Sequence, residues 1–223
     1  MRPDFELRSD VTSELAWDPS IRNEDIAVSV HDGVVTLAGT VDTYTQLFAA
    51  ERAVEHVKGA RAIVNDLVVK LPSAHERPDA DIAHAAINAL RWNVQVPDDK
   101  IRLKVSNGWV TLEGEVEQYY QRTAAERAVR PIQGVRGVTN RIALIPVPAP
   151  KDLKQRIKTS LKRQAELDAE GVTVETSGTH VTLRGTVRSM GERRDAERAV
   201  WNAPGVTRVD NELMVIPMVP VTL

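Results

Sequence analysis

The chain has 223 residues, 42% of them hydrophobic, with a formal net charge of −2 and no cysteine. That apolar share argues against disorder, and so balanced a charge argues against a nucleic-acid partner. Without cysteine there is no disulfide, thiolate nucleophile or cysteine-ligated zinc. The five histidines (His31, His56, His75, His84 and His180) fall at no metal-ligand spacing, and no apolar run reaches the roughly 18 residues of a membrane-spanning helix.

The chain opens on a helical pattern in which Leu7, Val11 and Leu15 form one apolar stripe among charges. This stretch, Met1 to Trp17, has neither an apolar h-region nor a small-residue cleavage site, so a cytoplasmic location is expected. Two alternating runs follow: Ile26, Val28 and Val30, then Val35, Leu37 and Val41. Asp32-Gly33 between them is a strong two-residue hairpin signal. A second helix is predicted over Tyr44 to Val57, with Gly59 suited to the left-handed residue just beyond it. A strand over Ile63 to Val69 closes the unit.

The whole pattern then returns twice. Ala50-Glu51-Arg52-Ala53-Val54 recurs as Ala125 to Val129 and as Ala196 to Val200, at offsets of 75 and then 71 residues. The same offsets connect Gly39, Gly114 and Gly185, and also Asn65, Asn140 and Asn211. The opening helices keep register as well, with Ile82, Ala86 and Leu90, then Leu153, Ile157 and Leu161. The second hairpin turns at Asn107-Gly108, whereas the third holds its glycine one place early, at Gly178. Such agreement marks an internal repeat. The unit boundaries are 1–71, 77–146 and 150–217, and the proline-rich stretches between them suit stiff, extended spacers.

Each unit therefore reads α-β-β-α-β. The helix between strands two and three is a crossover, which makes those strands parallel, while the hairpin is antiparallel. The expected fold class is α+β: three tandem two-layer units, each a three-stranded mixed sheet covered on one face by two helices.

Several residues resemble those of a known family, the BON domain of bacterial osmotic-stress and envelope proteins. The carrying features are the glycine inside strand two (Ala38-Gly39-Thr40-Val41, Glu113-Gly114-Glu115-Val116, Arg184-Gly185-Thr186-Val187), the Ala-Glu-Arg-Ala-Val helix, and the ending Gly205-Val206-Thr207-Arg208-Val209-Asp210-Asn211. All three units carry them. The resemblance implies an α-β-β-α-β fold, a non-enzymatic role without cofactors, and binding of phospholipid surfaces under stress.

The candidate contact residues lie mainly on the third opening helix. Around its stripe crowd Lys151, Lys154, Arg156, Lys158, Lys162 and Arg163, with Asp152 as the one acid before Glu166. Each basic residue near an anionic bilayer contributes about 1 kcal/mol. Residues 1–72 carry 7 basic and 12 acidic residues, net −5, and residues 150–223 carry 12 and 10, net +2. That polarity suits either an anionic surface or head-to-tail self-association. Trp109, on the outer sheet face with Arg102 and Lys104, is the aromatic most suited to touch a partner.

Other repeated residues read as structural. Gly39, Gly114 and Gly185 suit close packing of a helix on the strand, or a bulge. Asn65, Asn140 and Asn211 suit a turn at the start of the last strand. The Glu-Arg pairs of the second helices read as solvated, with contact between units as the alternative. Trp17 and Trp92, just past the first helices, read as staples onto the core. Asp79, at a helix start, reads as a cap. Neither a Gly-x-Ser-x-Gly elbow, a P-loop, a dinucleotide glycine pattern nor His-Glu-x-x-His is present. The function expected is peripheral binding to anionic phospholipid surfaces, with a cytoplasmic protein-interaction scaffold as the alternative.

Overall fold

A computed structural model of the chain describes residues 3–148, 150, 152–163 and 171–216. The first copy contains α1 (Asp4–Trp17), β1 (Ile26–His31), β2 (Val34–Val41), α2 (Tyr44–His56) and β3 (Ala62–Val69). The second contains α3 (Asp79–Arg91), β4 (Ile101–Ser106), β5 (Trp109–Val116), α4 (Tyr119–Val129) and β6 (Gly137–Leu144). The third contains α5 (Leu153–Arg163), β7 (Val172–Ser177), β8 (His180–Val187), α6 (Met190–Trp201) and β9 (Arg208–Val215). Among the described residues there are three separate three-stranded sheets, ordered β1-β2-β3, β4-β5-β6 and β7-β8-β9. The hairpins are antiparallel, and β6 and β9 run parallel to β5 and β8.

By compactness the chain forms two units. The first takes Met1–Gly39, Phe48–Leu67 and Pro148–Leu223, and so joins most of copy one to copy three. The second takes Thr40–Leu47 and Val68–Val147, which is copy two with the β2–α2 corner of copy one.

In the second unit, Ile82, Ala86 and Leu90 of α3 bury their stripe against Val110, Leu112 and Val116 of β5, and Ala125 and Val129 of α4. Tyr44, from the corner of copy one, packs on this core. In the first unit, Leu153, Ile157 and Leu161 of α5 share a core with Val181, Leu183 and Val187 of β8. Leu7, Val11 and Leu15 of α1 are buried likewise. The four-residue spacing places each trio on one helix face, and alternation places the valines and leucines on one sheet face.

The hairpins show how the copies diverge. Asp32 and Gly33 have φ of 50° and 76°, and Asn107 and Gly108 have φ of 53° and 76°. Two positive φ values in a two-residue loop define the type I′ turn, which matches the twist of the strands. Asp4 clamps the first turn, its carboxylate accepting from the Asp32 N–H at 2.8 Å and the Gly33 N–H at 3.1 Å. Asp79 does the same for Asn107 and Gly108, both at 2.8 Å. Asp79 was expected to cap its own helix. The cap residue is instead Pro78, which makes no side-chain cap bond, and the carboxylate serves the hairpin. Copy three has Pro150 at the corresponding position. Its loop is Gly178-Thr179, with positive φ at Gly178 (60°).

Gly39, Gly114 and Gly185 have φ of 125°, 143° and 123°. A Cβ there would overlap the carbonyl oxygen of Asp25, Lys100 or Gly171, the residue just before the first strand of the same hairpin. The neighbour at each glycine is this carbonyl, not a helix. Gly114→Ala combines backbone overlap with strain and should lower stability by about 3 kcal/mol. At Gly178 a Cβ would meet nothing within 4 Å, so Gly178→Ala should lose only about 1 kcal/mol. Urea unfolding with hydrogen exchange on the affected hairpin measures both, and equal losses would refute the steric account.

Candidate functional site

The repeated Asn and Glu side chains meet. Asn140 Nδ2 donates to the Arg122 carbonyl at 2.9 Å and to Glu126 Oε2 at 3.2 Å, while its Oδ1 accepts from the Ile142 N–H at 3.2 Å. Asn211 bonds the Arg193 carbonyl, Glu197 and the Leu213 N–H in the same way. Asn65 bonds Glu51 and the Leu67 N–H. Two expectations are corrected. The asparagines sit within their strands and not at the entry; each keeps the local bond to the N–H two residues on, and its amide N–H ties helix to sheet. The glutamates are partly buried partners, not solvated residues; Arg52, Arg127 and Arg198 beside them are the exposed members. Asn140→Ala removes the bonds to Glu126 Oε2 and the Ile142 N–H, while Glu126 Oε1 keeps Arg130, and should destabilise by about 2 kcal/mol. Asn140→Asp should lose more at neutral pH, through repulsion from Glu126, and regain part of it in acid. Thermal unfolding at two pH values checks the pair of variants.

The third opening helix keeps its apolar stripe for its own core. At 100° per residue, Lys154 and Lys158 lie on one flank of that stripe, and Arg156 and Arg163 on the other. All four are exposed. Lys151 lies outside the described residues, as does the side chain of Lys162. Arg156 Nε donates to Asp152 Oδ2 at 2.9 Å, and that hydrogen bond holds the Asp152 carboxyl below the usual carboxylate value. Lys154, Lys158 and Arg163 remain as exposed cations on the described part of the helix.

Trp17 and Trp92 were expected to staple onto the core, and the structure overturns this: they are 84% and 86% exposed. The reason is helical phase. Each lies two residues past the last stripe residue, Leu15 or Leu90, which is about 200° round the helix. Val94, two residues beyond Trp92, is 99% exposed. The second unit therefore presents a bare apolar tip, Trp92 with Val94, which the sequence reading missed. Arg163 occupies the same repeat position in copy three.

Trp109 lies on the outer face of its sheet, 50% exposed. Its Nε1 donates to Thr139 Oγ1 at 2.8 Å, and its ring covers Gly137, where a Cβ would collide with it. Strand register pairs Trp109 with Ser106, leaving Lys104 diagonal and Arg102 at the far rung opposite Glu113.

A glycine-bearing hairpin strand and a crossover helix bonded to the last strand recur in all three copies and define a small modular α+β domain. The BON domain model matches residues 3–70, 78–146 and 151–217, and the chain belongs to that family. It is 25% identical over 142 residues to osmotically-inducible protein Y of Escherichia coli (strain K12), covering 61% of this chain and 70% of that protein. Among solved structures it is similar to CdsD, a structural protein of the type III secretion system of Chlamydia trachomatis. The identity is 13%, with 96% of this chain and 93% of that one covered and a TM-score of 0.27. The C-terminal domain of CdsD matches at 11% identity over 97% and 100% of the chains, also with a TM-score of 0.27.

Proposed function

We propose that this chain is a non-enzymatic binding protein that associates peripherally with anionic phospholipid surfaces, in a role connected with osmotic stress. The stress connection rests on the likeness to osmotically-inducible protein Y. The carrying observation is α5, which buries its apolar stripe in its own core and leaves Lys154, Lys158 and Arg163 in water. Such a helix has no free apolar face to insert, so its contact with a bilayer is electrostatic. Nor does any described helix have the length and apolarity to cross a membrane. The overall charge of −2 does not oppose this, because screening over about 10 Å lets a bilayer sense the local patch. The exposed Trp92 and Val94 give the second unit an apolar tip of the kind that settles at the headgroup level.

Co-sedimentation with phosphatidylglycerol-containing vesicles tests the reading. Binding is expected at low salt and is lost at high salt, and pure phosphatidylcholine retains little. Reversing Lys154, Lys158 and Lys162 to Glu should weaken binding by more than about 100-fold, from roughly 1 kcal/mol per basic residue. Trp92→Ala should weaken it by about tenfold through lost apolar contact. No binding to anionic vesicles at low salt would refute the lipid reading. A protein-docking role for the sheet face around Trp109 is the second reading, favoured by the way Thr139 and Gly137 hold that half-exposed indole.

A further inference from the structure

Within the first unit, copies one and three touch through α2 and α6, and one acid is buried there. Glu55 is 4% exposed. One of its oxygens, Oε1, pairs with the Arg194 guanidinium, which also lies 3.7 Å from Glu51 and 6.0 Å above the Phe48 ring. The other, Oε2, is buried without a hydrogen-bond partner. Gly191 brings α6 close to the Glu55 backbone, since a Cβ there would stand 3.3 Å from the Glu55 carbonyl oxygen. The other two copies carry Arg130 and Trp201 at this repeat position, so the buried acid is particular to this contact.

An ionised carboxylate here is only half compensated. Arg194 serves one oxygen, while the second is buried without a partner, which is costly for a charged group. The other charges around Glu55 do not remedy this. On its own helix stand Glu51, which repels it, and Arg52 and His56. From α6 come Asp195 and Arg198 beyond Arg194, and from the end of α1 come Glu14 and Asp18. All of these except Glu51 line an open cleft of about 480 Å³.

We infer that the contact between copies one and three is a pH-sensitive clasp, closed while Glu55 holds a proton and loosened when it ionises. Burial, opposed by Arg194, pushes the Glu55 carboxyl up to about 7. The sign follows from linkage: a carboxyl whose value is raised on docking contributes fully below its free value near 4.5, and that contribution is lost as pH climbs toward 7.

The chain lacks cysteine, so Ser13→Cys and Thr159→Cys, at exposed positions in copies one and three, give a clean dye pair in the full-length protein. Energy transfer followed from about pH 5 to about pH 8.5 should show a docked population that falls more than tenfold in equilibrium constant. Glu55→Gln should stay docked throughout, and Arg194→Ala should move the midpoint to higher pH by removing the opposing charge. A pH-independent distance in the unsubstituted chain would overturn the inference. So would a Glu55→Gln chain that titrates like its parent or stays undocked, or an Arg194→Ala midpoint that does not move.

Discussion

The bond between the strand asparagine and the helix glutamate governs much of what these copies present to their surroundings. In each copy the two residues stand 14 apart in sequence and close the gap between crossover helix and last strand. The helix is thereby fixed in rotation as well as position. Once Glu51, Glu126 or Glu197 is held at the rim of the buried face, the positions three before and four after it must stand on the same rim, at 60° and 40° round the helix. Those positions are Phe48 and Glu55 in copy one, Thr123 and Arg130 in copy two, and Arg194 and Trp201 in copy three. One internal bond, repeated three times, thus offers three chemically different lateral surfaces.

What each copy does with that rim differs. In copy two, Arg130 turns back onto Glu126 at 2.7 Å, four residues away on the same helix. In copy one no arginine stands at position 55, and Glu51 and Glu55 together face Arg194 of copy three. The opening helices diverge in the same manner. Their buried stripes are interchangeable, but the residue two beyond the stripe is Trp17, Trp92 or Arg163. Duplication has kept the interior and varied the exterior.

Periodic and local features of the fold are legible in the sequence. Four-residue stripes, two-residue alternation, Asp32-Gly33 and Asn107-Gly108 each follow a rule confined to a few neighbouring residues. The Asn–Glu bond follows no such rule, because its partners belong to different elements. Its only trace in the sequence is the constant separation of 14 residues in all three copies. Trp17 and Trp92 were misread for another reason. Their size suggested burial, whereas their helical phase placed them outside, and phase decided. Glu55 left no signal at all. It does not recur in the other copies, and only the approach of α6 gives it meaning. The basic residues of α5 are visible as a group, and Asp152 four residues before Arg156 has the spacing of the helical ion pair they form.

A buried ion pair is a poor way to hold two modules together if strength is the only requirement. Apolar replacements of such pairs are often neutral or stabilising, because two desolvated charges repay little more than they lose. Copy three carries Trp201 where copy one carries Glu55, and there the indole N–H donates to Glu197 of the same helix at 3.2 Å. Domains of about 70 residues bury only roughly 60% of their unfolded surface and are marginal alone, so a purely stabilising contact would favour an apolar residue at position 55. An acid at position 55 with one oxygen unpaired gives up stability at neutral pH and gains sensitivity to protons. The same chemistry separates this contact from the Glu126–Arg130 pair, whose two residues stand four apart along α4 and its C-cap in one copy. Of the described side chains on the crossover-helix rims, the carboxyl of Glu55 is the one whose protonation reports on whether two copies are together.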